Sequence, residues 1–404
     1  MTAATHTLPF LPVADAPAVS LPSSSRFTLD GDPGLEAHLA GICDLVREGI
    51  QRIVPADRLE GVLLGGGYGR GEGGVLRLPG GDRPYNDLEF YVLLRGAIVL
   101  NERRYRAALA ELAHTVSGPA GIEVEFKVIS LASLRRNAIT MFSYDLVCGH
   151  RRLCGPGGLL TGCAHHTRGG QIPLEEATRL LLNRGSGLLF ARQQLDRLPF
   201  TGAEADFVER NLAKARLALG DAVLTAWGRY HWSCRERARR LAELHPGEDL
   251  PWLEAVRGEH VRGVEFKLHP QQSERTAPAL EKDWAQLAQL ARRVWLWLES
   301  RRLGTDFRSP VDYTLHAAPK CPGTQPWRNW LVTARRLGPS ELISRRAFRY
   351  PRERLLRALP VLLWRPALLV DAGVRQCLQR QLRSPAPDAA GLTAAYTRLW
   401  EFFR

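Results

Sequence analysis

Three consecutive glycines, Gly65 to Gly67, end an apolar run and constrain this chain more than any other feature. The run Val62-Leu63-Leu64 predicts a buried strand, and glycine lets backbone N–H groups approach a ligand closely. A second glycine-spaced stretch with a basic side chain in it follows at once, at residues 68–73. A strand that ends in such a loop predicts a turn that can cradle a phosphate group.

Two carboxylates follow this loop on alternate positions of a second apolar run, residues 87–94. Because side chains alternate along a strand, Asp87 and Glu89 share one face while Leu88 and Phe90 share the other. Two adjacent carboxylates repel each other, and a divalent cation removes that penalty. The two stretches together predict a phosphate cradle beside a metal-binding pair.

The order Gly66-Gly67-x-Gly69-Arg70-Gly71, then Asp87-x-Glu89, resembles the signature of the DNA polymerase beta-like nucleotidyltransferase superfamily. That signature consists of a Gly-Gly or Gly-Ser turn, a spacer and an Asp-x-Asp/Glu pair, and a third acid on a later strand usually completes it. The spacer here, residues 75–86, is longer than usual and carries several prolines and glycines. We interpret it as an inserted loop.

The third acid is sought in residues 122–129, where apolar and polar side chains alternate. The alternation predicts a strand with Glu123, Glu125 and Lys127 on one face. The resemblance places the third acid in this strand, and the register of the stretch that follows assigns it to Glu125. Glu123 is the alternative, and the alternation taken alone predicts only solvated acids on an outer face.

Other interpretations use the same glycines. Gly69-x-Gly71-x-x-Gly74 matches the dinucleotide-binding fingerprint, but that fingerprint must open a helix, and the glycines and prolines that follow disfavour one. A P-loop is excluded because the sequence contains no Gly-Lys-Ser/Thr. A flexible hairpin turn with solvated acids is the remaining alternative.

The composition is that of a globular chain, with 404 residues of which 45% are hydrophobic and 24% charged. No apolar run has the length of a membrane span and the start lacks the pattern of a signal peptide, so a cytoplasmic protein is expected. Seven scattered cysteines predict reduced thiols. A formal net charge of +13 favours a phosphate-rich partner such as a nucleotide, RNA or an anionic membrane, or reflects arginine-rich usage alone.

The expected fold class is α+β, with a small mixed β-sheet nucleotidyltransferase core backed by helices and followed by an all-α helical region. Apolar side chains at helical spacing predict a helix after Asp32-Pro33 and long helices from Leu174 onward. The expected divisions are a flexible tail at 1–30, the catalytic domain at 31–158, a helical domain closing over the nucleotide at 165–305, and a C-terminal helical region at 306–404.

The resemblance extends loosely over residues 174–230, where the superfamily commonly offers a basic side chain to the phosphates. Lys214 is the candidate, with Asn211 and Asp221 on the same polar face of the expected helix; a solvated lysine is the alternative. Farther on, an apolar, tryptophan-bearing stretch at 352–365 is flanked by arginines. It predicts either a weak contact with an anionic membrane or a core helix.

The resemblance implies a metal-dependent nucleotidyltransferase that moves a nucleoside monophosphate from a nucleoside triphosphate to an acceptor hydroxyl and releases pyrophosphate. The implied site residues are Asp87, Glu89 and Glu125 for Mg²⁺ or Mn²⁺ and catalysis, and Gly66, Gly67, Arg70 and Lys214 for the nucleotide. The sequence leaves the acceptor open among a small molecule, a protein and an RNA end. The alternatives are a catalytically silent nucleotide-binding or regulatory module, and an RNA- or membrane-associated interaction protein.

Overall fold

The computed structural model describes residues 26–338 and 345–403, and the chain forms two compact units. The first comprises residues up to Ile172 together with His231–Ser233, and the second comprises Pro173–Tyr230 and the chain from Cys234 onward. The boundary expected at residue 306 is wrong, because the helices on both sides of it share one hydrophobic core. Most of the tail expected at 1–30 lies outside the described residues.

The first unit contains a four-stranded mixed sheet and a separate two-stranded hairpin, which confirms the α+β class. Its strands are β1 (Leu59–Leu64), β2 (Val75–Leu78), β3 (Gly81–Pro84), β4 (Leu88–Leu94), β5 (Val124–Ile129) and β6 (Arg151–Cys154). Its α-helices are α1 (Pro33–Ile53), α2 (Gly66–Gly69), α3 (Ile98–Ala120), α4 (Leu131–Arg136) and α5 (Met141–Cys148). The order in the sheet is β5-β4-β1-β6, and only the β4–β5 pair is parallel among the described strand pairs.

Period-2 alternation decides which side chains of the sheet face which helices. Phe90 and Val92 of β4 belong to one core with α1 and α3, whereas Tyr91 and Leu93 belong to a second core with α4 and α5. Asp87 and Glu89 lie an even number of positions from Tyr91, so their side chains are on the same face of the sheet as that of Tyr91. The alternation read from the sequence therefore fixes the face on which the acids lie.

The spacer between the glycine turn and the acids is a hairpin, β2 with β3, joined to the start of α1. The backbone N–H of Asp82 donates to the carboxylate of Asp32 at 2.9 Å, and the N–H of Asp32 donates to the carboxylate of Asp82 at 2.9 Å. The tail prediction is wrong at its last residues. Phe27 and Thr28 are buried, and their N–H groups donate to Glu36 at 2.7 and 3.0 Å.

The described residues of the second unit form helices and the segments that connect them, with no strand among them. Its α-helices are α6 (Leu174–Leu195), α7 (Gly202–Ala226), α8 (Cys234–Ala242), α9 (Leu253–Leu268), α10 (Ala277–Leu303), α11 (Pro310–Leu315), α12 (Pro326–Leu337), α13 (Glu353–Trp364), α14 (Ala372–Leu382) and α15 (Ala389–Phe403). Glycine allows α6 to pack tightly on α7, since a Cβ on Gly187 of α6 would meet the Asn211 side chain of α7.

The stretch at 352–365 is a core helix. All residues of α13 from Glu353 to Leu363 are buried, and its leucines join the single core of the second unit. Of the two interpretations of this stretch, the structure has the core helix, because its apolar face is covered by other helices of the same unit. None of the helices described between residues 26 and 403 combines the length and apolarity that crossing a membrane requires.

Candidate functional site

Three carboxylates meet at one end of the β4–β5 pair. Glu89 and Glu125 are direct neighbours in the parallel register, and Asp87 immediately precedes β4. Each of the three offers an oxygen, and these oxygens all lie within 4.8 Å of one another. Glu123, the alternative third acid, does not belong to this group, which is the one cluster of potential metal ligands within the described residues.

Lys127 lies between two of these carboxylates. Its Nζ is 2.7 Å from Oε1 of Glu89 and 3.2 Å from Oε2 of Glu125. Partial burial lowers the pKa of Lys127, but the hydrogen bond and charge of Glu89, with those of Glu125, outweigh burial and raise it. Lys127 is therefore a protonated counter-ion of the acids. Sequence reasoning gave it no role, although its parity with Glu125 on β5 was a usable signal.

The glycine turn lies directly beside Glu89. The N–H of Gly65 donates to the backbone carbonyl of Glu89 at 2.9 Å. Gly66 adopts a left-handed φ of 61°, and a Cβ there would stand 3.1 Å from Oε2 of Glu89. Any side chain at position 66 would therefore strain the backbone and press on the acid. The structure brings the turn and the carboxylates together at this point.

The dinucleotide interpretation is not supported by the course of the chain after this turn. The only helix that opens at these glycines within the described residues, α2, is four residues long. The chain then enters β2 through Gly73, where a Cβ would collide with the ring of Tyr68. A dinucleotide fingerprint requires a full helix behind its glycines, so the tight packing explains their presence instead.

Arg70 braces the turn instead of projecting from it. Its Nε donates to the Gly66 carbonyl at 2.8 Å, and its Nη1 donates to the Asp145 carboxylate at 3.1 Å and the Trp232 carbonyl at 2.7 Å. The side chain is only 11% exposed. These contacts favour a positioning role over the direct phosphate contact expected from the sequence, because the guanidinium is committed to protein acceptors.

The residues His231–Ser233 belong to the first unit and take part in this bracing. The Trp232 carbonyl accepts from Arg70, and the Ser233 hydroxyl donates to Oε1 of the buried Glu72 at 2.5 Å. Trp232 lies 162 residues along the chain from Arg70, and Ser233 lies 161 residues from Glu72. No local pattern in the sequence identifies them.

Lys214, the remaining nucleotide-binding candidate, is an exposed residue of α7 in the second unit. Lys214 was selected as a candidate because it shares a polar face of the helix with Asp221. The two differ in the structure, since Lys214 is exposed and Asp221 is buried. Oδ1 of Asp221 lies 2.9 Å from Nε of Arg237 and 3.2 Å from Nε2 of His260. Burial raises the pKa of Asp221, but Arg237 and His260 outweigh burial and lower it. The role of Lys214 stays a prediction.

No family model, no curated protein and no solved structure matches this chain. The interpretation of the site therefore depends on its own geometry: three carboxylates, a lysine between two of them, and a glycine turn beside Glu89.

Proposed function

We propose that the protein is a metal-dependent nucleotidyltransferase that transfers a nucleoside monophosphate from a nucleoside triphosphate to an acceptor hydroxyl. The observation that carries this proposal is the cluster formed by Asp87, Glu89 and Glu125, whose carboxylate oxygens lie within 4.8 Å of one another. Its position beside the glycine turn supports it, since nucleotidyl transfer requires phosphates next to a cation. With its seven free cysteines, the chain suits the reducing cytoplasm expected from the sequence.

The donor set fits Mg²⁺ or Mn²⁺. Carboxylate oxygens are the ligands that these hard cations prefer, and Asp87, Glu89 and Glu125 supply them within one metal's reach. When bound, the cation supplies charge neutralisation for the phosphates and the leaving pyrophosphate. Lys127 already pairs with one oxygen each of Glu89 and Glu125, so a cation at these carboxylates competes with its ammonium for their negative charge.

The residues of the chain have separate tasks in this proposal. Backbone N–H groups at Gly66 and Gly67 bind the β- and γ-phosphates, because glycine leaves the backbone open to a close approach. Arg70 holds the turn in place through its bonds to Gly66 and Asp145. Glu125 accepts the proton of the acceptor hydroxyl as that oxygen attacks the α-phosphorus. Lys214 stays a proposed phosphate ligand.

A second candidate function is nucleotide binding without turnover, and the position of Lys127 favours it. If Lys127 is a permanent counter-ion, Glu89 and Glu125 do not need a cation, and the fold serves as a binding or regulatory module. The RNA-associated alternative depends only on the net charge of +13. The membrane-associated alternative loses its candidate segment, since α13 is buried.

The proposal is tested by transfer of label. The full chain is incubated with α-labelled nucleoside triphosphates, Mg²⁺ and a cell extract, and the label is followed into protein, RNA and small molecules while pyrophosphate is measured. Glu125→Gln should lower transfer by about 10²–10⁴, the usual contribution of a general base, and should weaken nucleotide binding less than the loss of Asp87 does. Tight binding by the wild-type protein without transfer or pyrophosphate release would instead support the silent module.

A further inference from the structure

β5 is a terminal strand of the four-stranded sheet, and among the described residues it pairs with β4 alone. The backbone N–H of Val124 points away from β4 and donates to Oγ of Ser117 on α3 at 3.0 Å. Because N–H groups of a strand alternate in direction, those of Phe126 and Val128 point the same way as that of Val124. β5 therefore presents an edge with which an extended chain can pair.

A groove of about 380 Å³ runs along this edge, between β5 and α3. Phe126 and Val128 of β5 are only partly buried there, although the residues paired with them on β4 are fully buried. On the α3 side the groove is lined by Ala110 and Ala113, whose small side chains leave room for those of a ligand. The groove thus combines exposed apolar surface with a strand edge.

The groove is continuous with the candidate active site. Glu125 and Lys127 line the groove, and they also form part of the carboxylate cluster and its counter-ion. A chain that pairs with β5 would alternate its side chains in the same way as β5 does. One set would lie against α3, and the other would lie beside Glu125, at the roughly 5 Å Cβ separation of cross-strand neighbours.

The lining favours a polypeptide over a nucleic acid. Its charged residues are two basic, Arg106 and Lys127, and two acidic, Glu102 and Glu125. Such a balanced groove offers no basic track along a sugar–phosphate backbone, which binding of single-stranded RNA requires. The polar groups that it does offer are strand amides two residues apart, which are spaced for the carbonyls of another strand.

We propose that the acceptor is an extended polypeptide segment that pairs with the β5 edge and presents a serine, threonine or tyrosine hydroxyl beside Glu125. This inference rests on the nucleotidyltransferase function proposed above. The hydroxyl oxygen forms a bond to the α-phosphorus of the nucleoside triphosphate, and the bond from that phosphorus to the bridging oxygen breaks. The hydroxyl proton passes to Glu125, and pyrophosphate leaves with the bonding electron pair.

Two substitutions block the groove in different ways. Ala110→Trp fills it from an exposed position of α3. The control for this variant is Ala108→Trp, which places the same side chain at an exposed position of that helix outside the groove. Val128→Pro removes one N–H from the open edge of β5 and leaves the N–H groups that face β4. Thermal unfolding and calorimetry of Mg²⁺–nucleotide binding identify a variant that has lost its fold.

The assay offers three acceptors to the full chain with α-labelled nucleoside triphosphate and Mg²⁺. They are a pool of short peptides with one Ser, Thr or Tyr each, an oligoribonucleotide with a free 3′-hydroxyl, and an amino sugar with several hydroxyls. We expect label on peptides. Ala110→Trp and Val128→Pro should each lower the rate at least about tenfold, since edge hydrogen bonds and groove contacts are lost, and Ala108→Trp should match the wild type.

Label on the RNA or the sugar instead of the peptides would overturn this inference and leave the proposed function standing. Label on peptides at an unchanged rate in Ala110→Trp and Val128→Pro would also overturn it, because the acceptor would then bind elsewhere. Metal-dependent nucleotide binding with no label on any acceptor would count against a peptide substrate. Failure of the wild-type protein to bind nucleotide at all would instead contradict the proposed function itself.

Discussion

The ammonium nitrogen of Lys127 lies 2.7 Å from Oε1 of Glu89, across the pair of strands that carries the acidic cluster. The same nitrogen is 3.2 Å from the carboxylate of Glu125, so one lysine neutralises part of the charge of both acids. A divalent cation would be held by the same two carboxylates, together with Asp87. Metal binding and the ion pairs of Lys127 therefore compete. The two candidate functions consequently predict different effects of replacing Lys127 on metal binding.

Replacing Lys127 should strengthen metal binding. In Lys127→Met, Glu89 and Glu125 lose the cation that competes for their oxygens, so Mn²⁺ without nucleotide should bind about tenfold more tightly. Calorimetric titration with Mn²⁺ measures this, and Lys282→Met, at an exposed position of α10, is the control. Unchanged or weaker Mn²⁺ binding by a folded variant would favour the silent module, in which Lys127 is a permanent counter-ion.

Replacing Arg70 should destabilise the first unit. Arg70→Lys keeps the charge but loses the planar donor set that bonds Gly66, Asp145 and Trp232 together, so the free energy of unfolding should fall by about 1–3 kcal/mol. Urea denaturation measures the loss. A variant of unchanged stability with weaker nucleotide binding would show that Arg70 contacts phosphate after all.

A methyl group at Gly66 should act on both stability and the site. Gly66→Ala forces a residue with a side chain to φ 61°, at a cost of about 1–2 kcal/mol, and places its Cβ 3.1 Å from Oε2 of Glu89. Unfolding should be easier and Mg²⁺–nucleotide binding weaker. Gly80→Ala is the matched control, because a Cβ at Gly80 has no atom within 4 Å. Equal effects of the two substitutions would rule out the close approach at Gly66.

The second unit should become more stable as pH rises above neutrality, because of Lys320. This side chain is fully buried, with its Nζ 4.1 Å from the centre of the Tyr313 ring and without a hydrogen-bond acceptor among the described residues. Burial, with the charge of Arg357, lowers the pKa of Lys320 to about 7. The unfolded chain has the ordinary lysine pKa of about 10.4, so between pH 7 and 10 it holds a proton that the folded chain releases.

The measurement is the free energy of unfolding against pH, compared between the wild type and Lys320→Met. The difference between the two proteins should shrink by roughly 2–4 kcal/mol from pH 7 to pH 10, with the variant the more stable at pH 7. Lys282→Met, at an exposed position, should follow the wild type. Parallel curves for Lys320→Met and the wild type would show that Lys320 is charged in the folded protein.

Local periodicity was sufficient to predict β1, β4 and β5, three of the four strands of the sheet, and the face of its acids. Asp87 and Glu89 were placed by alternation along β4. The start of α1 was placed after Asp32-Pro33, and there the Asp32 carboxylate accepts from the N–H of Leu35 at 2.7 Å. Both features depend on neighbours within a few residues. The acidic face could thus be predicted from the amino-acid sequence alone.

The features that could not be predicted from the sequence depend on partners that are distant along the chain. Arg70 lies in the glycine-spaced loop, where an arginine is expected to bind phosphate. Its hydrogen bonds to Asp145 and Trp232, 75 and 162 residues away, determine its role instead. The arginine-flanked stretch at 352–365 has a pattern that suits either a membrane-surface helix or a core helix, and only the packing of α13 decides between them. Asp221 shares a polar face with Lys214 along α7, but it is buried and pairs with Arg237 of α8, which lies 16 residues farther along the chain.

Calorimetry of nucleotide binding to the wild type and to Asp87→Asn tests the central claim most directly. The wild type should bind a nucleoside triphosphate with Mg²⁺ and lose it on chelation, because uncompensated acids repel the phosphates. Asp87→Asn should bind at least about 100-fold more weakly, since it removes a charged metal ligand, and Asp57→Asn, at an exposed position before β1, should match the wild type. Nucleotide binding that is indifferent to Mg²⁺ and to Asp87→Asn would contradict the metal site, and no binding under any metal condition would contradict the whole interpretation of the glycine turn.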